Sequence, residues 1–71
     1  MKPGTQVKMS QSLKETFKKN GCNDHVMEFG NCVGIVQGYT DYGSQMGPEV
    51  DVRWSPSNLR YAYHPNDLIV V

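Results

Sequence analysis

The stretch that most constrains the fold is Glu49 to Val71. Val50-Asp51-Val52-Arg53-Trp54 and Leu59-Arg60-Tyr61-Ala62-Tyr63 flank Ser55-Pro56-Ser57-Asn58, and two such alternating runs around a short turn read as a hairpin. Pairing Trp54 with Leu59 sets Val52 against Tyr61 and Val50 against Tyr63, so every apolar residue falls on one side. Arg53 then faces Arg60, Asp51 faces Ala62 and Glu49 faces His64 on the other. A slip of one residue would turn the apolar set into water, so the register is strongly specified. Pro56 suits the second position of a type I turn, where its φ is already correct. His64-Pro65-Asn66-Asp67 reads as a one-turn corner and Leu68-Ile69-Val70-Val71 as a closing strand.

Upstream, Gly4-Thr5-Gln6-Val7-Lys8-Met9 alternates with Thr5, Val7 and Met9 on one face, the period of a half-buried first strand. Ser12 and Glu15 have the spacing of a capping box and predict a short helix, with Leu13 and Phe17 sharing one face and Asn20-Gly21 ending it. Cys22 to Gly30 reads as loop with one turn of helix, edged by Val26 and Phe29 and capped by Asn23-Asp24. Cys32 to Val36 is apolar throughout, as in a strand covered on both faces, and Gly34 within it marks a bend or close backbone approach. Gly38 to Gly47 reads as a flexible loop carrying Tyr39, Asp41 and Tyr42.

A chain of 71 residues has room for one domain, 1–71, with a helical and loop insert over about 10–30. Seven basic and seven acidic residues cancel, but unevenly. Lys2, Lys8, Lys14, Lys18 and Lys19 stand against Glu15 in the first 20 residues, while Arg53 and Arg60 stand against six carboxylates in the rest, giving +4 and −4. No apolar run approaches the roughly 20 residues of a membrane span, and the N-terminus lacks a signal peptide's apolar core, so the expectation is a cytoplasmic protein with no membrane partner. Two cysteines without a secretion signal are expected as reduced thiols.

Strand, long excursion, strand, loop, tight hairpin, one-turn corner and short last strand together resemble the SH3-like barrel. The expected fold is therefore mainly β, an SH3-like five-stranded small barrel with a short α-helix inserted between strands 1 and 2. Gly4-x-x-Val7, Gly34-x-Val36, Val50-x-Val52-x-Trp54 and Asp67-Leu68-x-Val70 are also loosely similar to the Mind-bomb type of SH3-like module, which implies binding of protein tails. The Ala-Leu-Tyr-Asp-Tyr signature of the peptide-binding SH3 family is absent, and Trp54 ends its strand where that family's ligand-binding tryptophan lies near a strand start. The resemblance thus does not carry polyproline recognition with it.

Candidate chemistry is sparse. Cys22, His25, Cys32 and His64 match tetrahedral zinc in number but not in spacing, since only Cys22 and His25 form a close pair. The expectation is no metal and no cofactor, with Cys32 a small buried residue and His25 a solvated one. No thiol comes with the base and oxyanion site of a cysteine nucleophile, so the chain reads as non-enzymatic. Glu49 opposite His64 reads as an exposed cross-strand ion pair.

Arg53 opposite Arg60 is unfavourable unless a negative group serves both, and Asp51, or a partner's carboxylate or phosphate, can do so bidentately. Arg53, Arg60, Tyr39 and Tyr42 are accordingly the expected surface of a protein-interaction module, an adaptor or regulator engaging an acidic patch, monomeric or weakly self-associating. So small a chain with Met1 also fits a phage or bacterial accessory protein. The competing expectation is a nucleic-acid-binding barrel using a ridge of Lys8, Lys14, Lys18 and Lys19. Tyr61 and Tyr63 are expected in the core.

Overall fold

The computed structural model describes residues 1–41, 43 and 47–71. Its elements are β1 (Gln6–Met9), α1 (Gln11–Lys19), α2 (Asn23–Phe29), β2 (Gly34–Asp41), β3 (Pro48–Trp54), β4 (Arg60–Tyr63), a 3₁₀ turn (Pro65–Asp67) and β5 (Leu68–Val70). The strands form one antiparallel sheet in the order β4-β3-β2-β1-β5. A radius of gyration of 11.6 Å is close to the roughly 11 Å of a compact chain of this length. Among the described residues no helix is long and apolar enough to cross a membrane.

The hairpin register is the expected one: Val50 pairs with Tyr63, Asp51 with Ala62, Val52 with Tyr61 and Arg53 with Arg60. Its connection differs from a type I turn. The Trp54 carbonyl accepts from the Asn58 N–H at 2.8 Å, Asn58 takes φ 64°, and the Ser55–Pro56 peptide is cis. One residue more than a β-turn therefore lies inside the closing hydrogen bond. Glu49 and His64 form no ion pair among the described residues. His64 Nδ1 instead accepts from the Asn66 N–H at 3.2 Å and caps the 3₁₀ turn.

The first helix is capped two residues before the expected cap. The Ser10 side chain accepts from the Leu13 N–H at 3.1 Å, satisfying one of the first-turn donors, while Ser12 lies inside the helix. At the other end Cys22 N–H donates to Phe17 O at 2.7 Å and Gly21 N–H to Lys18 O at 3.2 Å, both bonds of a Schellman motif. Gly21 at φ 79° supplies the left-handed residue this motif needs. The chain is thereby turned straight into α2, so the segment expected as loop with one turn of helix is a seven-residue helix. Too short to stand alone, it is held by burial of Val26 and Phe29.

All these elements share one core. Val7, Met9, Leu13, Phe29, Val36, Val50, Val52, Trp54, Tyr63 and Leu68 form a single buried cluster, with Phe17 and Cys32 packed against it. Phe29 stacks on Trp54 at 5.9 Å between ring centroids. The helices therefore cover the same sheet face that the hairpin contributes, and β2 is not enclosed on both sides: Gly34 and Val36 are buried while Val33 is exposed and Ile35 half-buried. Gly34 is the close approach its position implied, since a Cβ there would lie 2.3 Å from Val52 Cγ1 and 2.9 Å from Trp54 Cε3. Beyond it β2 runs on through a bulge between Val36 and Gly38 to Asp41, pairing with β3 over residues expected as loop. Leu59 and Tyr61 are exposed at 44% and 41%, although Trp54, opposite Leu59 at the same end of the hairpin, is fully buried.

Candidate functional site

Alternation along β3 and β4 puts Asp51, Arg53, Arg60 and Ala62 on the face away from the core. The ladders carry this row across the sheet: Gln6 pairs with Ile35, Ile35 with Arg53 and Arg53 with Arg60. Arg60 Nη2 lies 3.4 Å from Asp51 Oδ2, so the carboxylate on the diagonal serves one guanidinium. Both groups are more than half exposed, and such a pair contributes between about 0 and 1 kcal/mol. Arg53, exposed beside half-buried Ile35, forms no ion pair among the described residues. The row offers a planar donor fork next to an aliphatic surface, suited to a carboxylate flanked by apolar groups.

The other expected binding residues are not gathered there. Tyr39 pairs with Val50, which pairs with Tyr63, so Tyr39 belongs to the core-side row and protrudes from it at 52% exposure. Register thus puts it on the opposite face from Arg53 and Arg60. Tyr42 lies outside the described residues.

The lysines are divided as well. Lys14 and Lys18 line a groove of about 420 Å³ between α1 and α2, with Gln11, Asn23, Met27 and Asn31. Lys8 pairs with Ile69 on the sheet, and Lys19 ends α1 without lining the groove. Lys18 and Lys19 occupy the last turn of α1, where the helix dipole favours positive charge.

His25 is not a solvated loop residue. It projects from α2 among Phe17 at 4.8 Å, Phe29 at 4.9 Å, Tyr61 at 4.8 Å and Tyr63 at 5.9 Å between ring centroids. The Trp54 indole, a donor only, donates Nε1–H to the Tyr63 oxygen at 2.9 Å. The Tyr63 O–H is then free to be donated to a neutral His25, whose Nε2 is 2.6 Å away. Desolvation holds the His25 pKa below its ordinary 6.5, partly offset by Glu28. Desolvation likewise pushes the Tyr63 phenol up to about 12, against the Trp54 hydrogen bond and with a small addition from Tyr61. The hydrogen bonds of this triad tie α2 to β3 and β4.

The sequence held one sign of the cluster, the four-residue spacing of His25 and Phe29, which puts both on one face of a helix. The four suggested metal ligands are dispersed. His25 faces Tyr63, His64 caps the 3₁₀ turn, and the Cys32 thiol donates to Glu28 O at 3.3 Å. Both cysteines are free, and among the described residues no three His, Cys, Asp or Glu side chains gather as a metal site. No protein-family model, curated protein or solved structure matches this chain. Its functional reading therefore rests on the geometry of its own surface.

Proposed function

We propose that the chain is an SH3-like barrel serving as a non-enzymatic protein-interaction module, an adaptor or regulator that engages an acidic segment of a partner through the outer sheet face. The order of five antiparallel strands, with a long excursion after β1 and a 3₁₀ turn before β5, supports the fold reading. The observation that carries the function is Arg53. It faces Arg60 across the ladder, yet Asp51, which alone pairs with either arginine among the described residues, is engaged by Arg60. Like charges facing across a ladder are destabilising. A partner carboxylate at Arg53 relieves that repulsion, and Ile35 offers the adjoining apolar contact. Division of the lysines between groove, helix end and sheet favours this reading over a continuous basic ridge for nucleic acid.

The test is titration with an extended peptide alternating glutamate and leucine, read by ¹⁵N–¹H NMR. Expected are saturable shifts on β2, β3 and β4 that disappear in the Arg53→Glu/Arg60→Glu variant and persist in Lys14→Glu/Lys18→Glu/Lys19→Glu. Absence of saturation, or loss with the lysine variant alone, would overturn the proposal.

A further inference from the structure

The groove between α1 and α2 is separate from the arginine face and combines three properties. Its charge is of one sign: Lys14 and Lys18 line it, and no carboxylate does among the described residues. Its remaining polar lining consists of the carboxamides of Gln11, Asn23 and Asn31, which can donate hydrogen bonds to an oxyanion. It also has an apolar wall, made by buried Val26 and by Met27, which is exposed at 74%.

The two lysines are four residues apart on one helix, so they repel each other, and neither has an ion-pair partner among the described residues. The walls are fixed in advance of any ligand. The Schellman bonds at Gly21 and Cys22 set the turn from α1 into α2, and Leu13 and Phe29 anchor each helix in the core. At about 420 Å³ the groove lies within the range of small-molecule sites, roughly 300 to 1,000 Å³.

We infer that this groove binds a small organic anion with a dianionic head, and that a phosphate monoester is the chemical class it fits. Two ammonium groups match two negative charges. Three carboxamides match the terminal oxygens, and the Val26–Met27 wall takes the organic substituent. A nucleic-acid strand fits less well, since it would need cations in succession, and Lys8 and Lys19 lie outside the groove.

The experiment is ¹⁵N–¹H NMR on the full chain with phenyl phosphate as probe, beside inorganic phosphate and a twelve-residue oligothymidylate. Phenyl phosphate is expected to shift the amides of Asn23, Met27 and Asn31 saturably and to bind more tightly than inorganic phosphate. The Lys14→Gln/Lys18→Gln variant, its fold checked by Trp54 fluorescence, should bind at least about tenfold more weakly, as loss of charge-assisted hydrogen bonds implies. Arg53→Glu should bind as the unaltered chain does.

No saturation, shifts that survive in the lysine variant, or equal affinity for inorganic phosphate would each overturn the assignment. So would oligothymidylate binding that depends on Lys8 and Lys19 as well as on the groove. The Arg53→Glu arm keeps failure here distinct from failure of the arginine reading.

Discussion

Replacing Tyr63 by Phe removes one oxygen and tests the internal bracing of the fold. That oxygen accepts from Trp54 Nε1 at 2.9 Å and bonds His25 Nε2 at 2.6 Å. Trp54 is 0% exposed, so in the variant its indole N–H has neither a protein acceptor nor direct access to water. An orphaned buried donor costs about 1–3 kcal/mol. His25 is half-buried and regains part of its loss from solvent, adding up to about 1 kcal/mol. The expected destabilisation is therefore about 1–4 kcal/mol, out of a total that for a chain of this size is about 4–10 kcal/mol.

Trp54 is the chain's one tryptophan, so urea unfolding followed by its fluorescence reports the change directly. With a urea slope near 1 kcal/mol/M, the midpoint should fall by about 1–4 M. The indole N–H resonance should also move in the folded variant. A midpoint within about 0.5 M of the unaltered chain would refute the argument, because it would mean that the indole finds another acceptor and that the triad does not brace the sheet.

The same triad makes stability depend on pH in opposite directions. Burial lowers the His25 pKa from 6.5, so the unfolded chain takes up the proton first. The stability that neutral His25 contributes is present above pH 6.5 and is lost as pH falls from there through the lower folded pKa. Chemical denaturation at a series of pH values should show this slope, flattened by His25→Phe. For Tyr63 the folded pKa of about 12 exceeds the ordinary 10, so its contribution is complete below pH 10 and lost as pH rises through 12. Tyr63→Phe should lack that part of the alkaline decline. Gly34→Ala should destabilise by about 1–3 kcal/mol, measured by the urea midpoint, because its methyl meets Val52 and Trp54 in the packed core; an unchanged midpoint would show that the strands can part there.

Legibility of the sequence followed how many independent constraints bore on each segment. At the hairpin, alternation on two strands and one turn had to agree, and they admit a single register, which the structure has. At the helix start the expected cap was Ser12, whereas the cap is Ser10. Ser12 had the better spacing with Glu15, but Ser10 follows directly on Met9 at the end of β1, where Ser10 N–H is held by Asp67 O at 3.0 Å. A long-range hydrogen bond thus decided a local question. The second helix was obscure because seven residues offer too little periodicity, and its partners, Trp54 and Tyr61, lie more than 20 positions away in the chain.

The candidate sites were legible as residues but not as surfaces, and the reason is geometric. Tyr39 was expected to join Arg53 because a loop carries no face of its own, whereas the extension of β2 to Asp41 imposes one. With the bulge between Val36 and Gly38 resetting the alternation, Tyr39 falls in the row of Val50 and Tyr63. The N-terminal excess of positive charge was treated as one ridge because charge was counted along the sequence. Helical period and sheet pairing instead send Lys14 and Lys18 into a groove, Lys8 onto the sheet and Lys19 to a helix end. A chain of zero formal net charge therefore carries two positive features of different chemistry: a guanidinium on an open sheet face, and paired ammonium groups in a concavity lined by carboxamides. The first suits a carboxylate on an extended segment and the second a compact dianion. Because the helices pack on the core side of the sheet and Arg53 projects from the other, altering one feature should leave the binding properties of the other intact.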